Sequence, residues 1–84
     1  MPVLLSIDDE VEFTNLIQNY LGARGYEVYT ANDGSAGLKL AKEKKPDVCL
    51  IDLKMPGMHG DEVMKEILSM NPATNCILIT ASVG

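Results

Sequence analysis

Asp52 ends the apolar run Val48 to Ile51, and the loop KMPGM follows it before a helical pattern begins. A carboxylate where a buried strand opens into a loop is placed to do chemistry at the rim of a sheet. Its partners should sit at the ends of neighbouring strands. Asp8 and Asp9 close the apolar run VLLSI, and Thr80 closes the apolar run CILI. Each also has a plainer reading: Asp8 or Asp9 as a helix N-cap, Asp52 as a strand end bonded to nearby amides, and Thr80 as a β-branched strand residue.

Positioning these residues requires strands that alternate with helices. Val3 to Ile7 is apolar apart from Ser6, the habit of a parallel strand covered on both faces. Phe13, Leu16, Ile17, Tyr20 and Leu21 then fall on one face of a helix, with Asp9 or Asp8 as its possible N-cap and Gly25 as its stop. Tyr26 to Thr30 includes Glu27 and predicts a less buried strand at a sheet edge. Asp33 offers the N-cap of a second helix that contains Leu40 and Ala41, is weakened by Gly34 and Gly37, and ends at Pro46. Val48 to Ile51 is the third strand. A helix from about Asp61 to Met70 has Val63, Ile67 and Met70 as its apolar face and stops at Asn71-Pro72. Cys76 to Ile79 is the fourth strand. The order βαβαβαβ calls for an open parallel sheet with right-handed crossovers, whose ligands sit beyond the carboxyl ends of the strands near the point where strand order reverses.

Bulk composition narrows the function classes. The chain has 84 residues, 46% hydrophobic and 23% charged, which is enough for one small globular domain of modest stability. A net charge of −5 disfavours a nucleic-acid or anionic-membrane surface, and Lys42, Lys44 and Lys45 read as the solvated end of a helix. Cys49 and Cys76 lie in apolar runs and read as small buried hydrophobes, since neither they nor His59 has metal-ligand spacing. His59 reads as a surface or helix-start residue. With neither a signal-like N-terminus nor a long apolar run, the expected location is the cytoplasm.

Taken together, VLLSIDDE, VCLIDLKMPGMHG and CILITAS resemble the receiver domain of two-component response regulators, over Val3 to Gly84. The resemblance implies a flavodoxin-like open parallel sheet. It also implies a phosphoacceptor that signals in a phosphorelay: Asp52 takes a phosphoryl group from a sensor histidine kinase or phosphotransfer protein and forms an aspartyl phosphate. Three converging carboxylates repel one another and demand a hard divalent cation, with Mg²⁺ preferred. By the same likeness Asp9 and Asp52 ligate the metal, the Lys54 backbone carbonyl is a third ligand, and Asp8 acts largely through a bound water. Thr80 matches the switch residue whose hydroxyl turns toward the phosphoryl group, and Ala81 the small residue beside the acceptor. Pro56 and Gly57 fix a tight turn, and Met55 packs beneath the site.

The family's pattern continues past the fourth strand with a helix, a strand and a helix, together with a lysine that pairs with the phosphoryl oxygens. Residues 1–84 therefore read as a single incomplete receiver domain, and no residue here matches that lysine. The fourth strand would present an open apolar edge, which predicts association with a second copy through that edge or through exchanged elements. A second reading of the chain is an interaction or oligomerisation module that keeps the fold without phosphorylation, or an inactive fragment of a longer regulator. A third, a Mg²⁺-dependent phosphohydrolase of the haloacid-dehalogenase style, is opposed by Lys54, which stands where such enzymes carry a second Asp.

Overall fold

The computed structural model describes residues 1–80. Its elements are β1 (Val3–Ile7), α1 (Val11–Gly22), β2 (Glu27–Ala31), α2 (Gly34–Lys44), β3 (Val48–Asp52), α3 (Gly60–Met70) and β4 (Asn75–Ile79). The strands pair in parallel in the order β2-β1-β3-β4, so the chain reverses its direction of travel across the sheet between β1 and β3. This is the order of the flavodoxin-like sheet. The expected edge position of the second strand holds, although its span moves on by one residue to Glu27–Ala31.

Alternation along the strands divides the core. Leu5 and Ile7 of β1, Cys49 and Ile51 of β3, and Ala31 of β2 point to one side, where they join Ala41, Met55, Val63 and Ile67 in a single buried cluster. That side is covered by α2 and α3. Helix glycines that sequence propensity alone would call weak points are packing positions here: a Cβ on Gly37 would lie 2.5 Å from Ile7 Cδ1, so only glycine lets α2 sit this close to β1. The opposite side carries Leu4, Ser6, Val48, Leu50, Ile77 and Ile79, and α1 packs there against β1 and β2.

Several expectations need correction. The α1 face is only partly covered: Phe13, Ile17 and Leu21 are half-buried, whereas Leu16 is 61% and Tyr20 54% exposed. The row 13, 17, 21 is the less exposed one, and of the flanking pair Tyr20 has the Arg24 guanidinium 3.9 Å over its ring centroid. Met70, the last residue of α3, likewise is 46% exposed, although Val63 and Ile67 are buried as expected. Helix α1 is not capped by Asp8 or Asp9. Its N-cap is Glu10, with no side-chain cap bond, because Asp8 is drawn into the sheet end instead.

Other punctuation holds. The Asp33 carboxylate accepts the Ala36 N–H at 2.7 Å as the α2 N-cap. Gly25, at φ 94°, turns the chain after α1. Cys49 and Cys76 are free and lie opposite each other in the β3–β4 register, and burial first, then the neighbouring thiol, pushes Cys49 up to about 12. Thiols held this far from ionisation behave as hydrophobes.

Candidate functional site

At the carboxyl ends of β1 and β3, on either side of the reversal in strand order, three carboxylates come together. One oxygen each from Asp8, Asp9 and Asp52 can be chosen so that all lie within 4.8 Å of one another. Asp8 is buried, Asp52 half-buried and Asp9 exposed, so the cluster opens to solvent from a buried floor. Parallel pairing is what makes this possible. Ile7 stands opposite Ile51, so the residues that follow leave the sheet side by side.

Local bonds hold each acid. The Asp8 Oδ1 accepts the Glu10 N–H at 2.9 Å, closing the turn between β1 and α1. Asp52 Oδ1 accepts the Lys54 N–H at 3.3 Å, which folds the start of the KMPGM loop back toward the Asp52 carboxylate. Met55 is buried in the core cluster, and Gly57 takes φ 85° in the turn. Helix α3 begins hard against the end of β3: the Gly60 N–H donates to the Leu53 carbonyl at 3.0 Å, and a Cβ on Gly60 would lie 2.2 Å from the Asp52 carbonyl oxygen. No other residue type fits there without moving the Asp52 backbone.

The electrostatics follow from this crowding. Burial raises the Asp8 carboxyl above its ordinary value, the Glu10 N–H opposes the rise, and the charges of Asp9 and Glu10 add to it. Asp52 is raised in the same way, by burial first, against the Lys54 N–H, with Asp8 and Asp9 adding to it. Three oxygen donors that crowd and repel fit a hard divalent cation, which takes carboxylate oxygens and would remove the repulsion.

Thr80 directly follows Ile79, which pairs with Asp52, so it stands at the same rim, exposed. The Leu53 N–H donates to the Ile79 carbonyl at 2.9 Å, which ties the loop after Asp52 to the strand leading into Thr80. The side chain of Lys54 is exposed, and His59 is the exposed N-cap of α3 without a side-chain cap bond. Ala81 lies outside the described residues.

Two site features were not read from the sequence. Gly60 reads in the sequence only as the residue before a helix, although a glycine at a helix start close behind a strand end is a signal of close approach. Asn32, beside the Asp33 cap, carries no signal in the sequence. Its Nδ2 donates to the Asp8 carbonyl at 2.9 Å and to Thr14 Oγ1 at 3.2 Å.

The comparisons with known proteins agree with this geometry. The family model described as the response regulator receiver domain matches residues 4–84. The alkaline phosphatase synthesis transcriptional regulatory protein PhoP of Bacillus subtilis is 36% identical over 78 residues, which cover 93% of this chain and 32% of PhoP. The chain thus spans about a third of the length of such relatives. The response regulator protein TrrA of Thermotoga maritima, solved in complex with Mg(2+)-BeF, superposes with a TM-score of 0.90 at 35% identity, over 99% of this chain and 72% of that one. TrrA in complex with the histidine kinase ThkA matches with a TM-score of 0.88 at 34% identity, covering 100% of this chain and 72% of that one. On sequence and fold alike, this chain belongs to the response regulator receiver domain family.

Proposed function

We propose that Asp52 is the phosphoacceptor of this receiver domain and that Asp8, Asp9 and Asp52 hold a Mg²⁺ ion beside it. The observation that carries the reading is the convergence of these carboxylates within 4.8 Å at the carboxyl ends of adjacent strands. Bound there, the metal supplies positive charge against the phosphoryl oxygens. One oxygen of the Asp52 carboxylate attacks phosphorus as the bond from phosphorus to the donor breaks, leaving an acyl phosphate. The Lys54 N–H orients the carboxylate, and the Lys54 carbonyl offers a further ligand. Asp8, the most buried of the three acids, keeps the floor anionic and acts largely through a bound water. Thr80, at the rim, is the hydroxyl that responds to the phosphoryl group by rotation and hydrogen bonding.

The donor is a sensor histidine kinase or a phosphotransfer protein, a reading supported by the kinase complex of TrrA, and the place of work is the cytoplasm. No described helix is long and apolar enough to cross a membrane. The outer edge of β4, where Ile77 is 50% exposed, is the surface for a second copy of the chain. Intact mass after incubation with Mg²⁺ and acetyl phosphate tests the acceptor. The wild-type chain gains one phosphoryl group, and neither Asp52→Asn nor metal-free protein does. Equal gain in Asp52→Asn contradicts the assignment.

A further inference from the structure

Asp8 and Asp9 sit in a short turn, and a turn alone would leave their carboxylates free to drift. Here the turn is gripped from the neighbouring strand end. The Asp8 N–H donates to the Ala31 carbonyl at 3.0 Å, and the Asp8 carbonyl accepts from Asn32 Nδ2 at 2.9 Å. Two consecutive residues of one chain segment therefore hold both sides of Asp8. The carbonyl belongs to the peptide unit that joins Asp8 to Asp9, so fixing it also fixes where Asp9 starts.

The grip extends into α1. The same Asn32 nitrogen donates to Thr14 Oγ1 at 3.2 Å, and that hydroxyl donates to the Val11 carbonyl at 3.0 Å. Both amide protons of Asn32 are used, on acceptors 24 and 18 residues away in the chain. Thr14 is buried, whereas Asn32 is exposed and is not needed to fill the core. Strand pairing does not ask for an amide there either, since β2 ends at Ala31.

We infer that Asn32 is a positioning residue for the metal site: through the Asp8 carbonyl it sets the placement of Asp9 and Asp8 relative to Asp52. The inference rests on the metal reading above. It has a signature that a merely structural role lacks. Mg²⁺ requires near-ideal octahedral geometry with oxygens at about 2.0–2.1 Å, while Ca²⁺ accepts longer and more irregular coordination. A loosened turn therefore weakens Mg²⁺ more than Ca²⁺, whereas general destabilisation weakens both alike.

The test is calorimetric titration of the full chain with Mg²⁺ and with Ca²⁺, comparing wild type with Asn32→Ala and with the similarly sized Asn32→Leu. Outer partners of metal ligands typically govern affinity by about 10–100-fold, and we expect both variants to lose about tenfold for Mg²⁺ with a several-fold smaller loss for Ca²⁺. An unchanged ratio of the two affinities in both variants overturns the positioning role while leaving the metal site standing. A wild-type chain that binds neither ion overturns the metal reading and this inference with it.

Discussion

The two faces of the sheet are built to different standards. Under α2 and α3, Cys49, Ile51 and Val63 are 0% exposed and close-packed, and glycines bring both helices into contact with strand atoms. On the opposite face, where α1 packs only against β1 and β2, Leu50 of β3 is half-buried and Ile77 of β4 half-exposed, and the buried Ser6 hydroxyl has no hydrogen-bond partner among the described residues. The packed face is the foundation of the site, because Met55, Val63 and Gly60 hold the end of β3 and the loop after it. The looser face carries only one edge of the site, the turn holding Asp8 and Asp9, and uses hydrogen bonds rather than packing to fix it. Close packing holds the Asp52 end of β3, and polar ties hold the turn that carries Asp8 and Asp9.

Substitutions on the packed face should dominate. Ile51→Ala removes a fully buried side chain set between Ile7 and Leu78 in the register, and should cost about 2–5 kcal/mol in urea unfolding, enough to unfold much of so small a domain. A loss below about 1 kcal/mol would break the comparison. Next comes Gly60→Ala. Its Cβ must displace the Asp52 carbonyl, so we expect about 1–3 kcal/mol of destabilisation together with weakened Mg²⁺ binding by calorimetry. Wild-type values for both would show that α3 can retreat from β3 without consequence.

Charge crowding gives a smaller effect with a definite sign. Asp8 and Asp52 have folded values above the ordinary 3.8, so their contribution to stability is fully present below 3.8 and is lost as pH rises through the raised values. Metal-free Asp52→Asn should therefore melt above wild type at pH 7, and the gap should close as the pH falls toward 3.8. Mg²⁺ should raise the melting temperature of wild type more than that of the variant. A variant that melts below wild type at pH 7 would contradict the repulsion.

The smallest effects belong to the α1 face. Leu16→Ala, at a side chain 61% exposed, should change unfolding by less than about 0.5 kcal/mol. Ser6→Ala should be neutral or stabilising by up to about 1 kcal/mol, since it deletes a buried hydroxyl without a partner. A large loss at either position would mean that this face is as tightly built as the other.

The strands and the acids were legible in the sequence because they depend on local pattern. Apolar runs that end in Asp8, Asp9, Asp52 and Thr80 announce strand ends, and the order of strands and helices dictates a parallel sheet. What escaped depends on pairing distant in sequence. Asp8 or Asp9 could equally be read as the α1 cap, and only the folded turn shows that Glu10 takes that position. Asn32 has no visible role until β2 lies against β1. Gly37 reads as a weak helix residue and Gly60 as the residue before a helix because the atoms they make room for, Ile7 and the Asp52 backbone, lie on other elements. Leu16, Tyr20 and Met70 follow helical periodicity faithfully, but periodicity cannot say how much of a helix face is covered.

The central claim is that Asp52, and not a neighbouring acid, receives the phosphoryl group. Its most direct test is to phosphorylate the chain with acetyl phosphate and Mg²⁺, trap the acyl phosphate by borohydride reduction, and sequence the peptides by mass spectrometry. Reduction marks the modified aspartate, and the account predicts the mark at Asp52 alone. A mark at Asp8 or Asp9, or none anywhere in a chain that binds Mg²⁺, would contradict it.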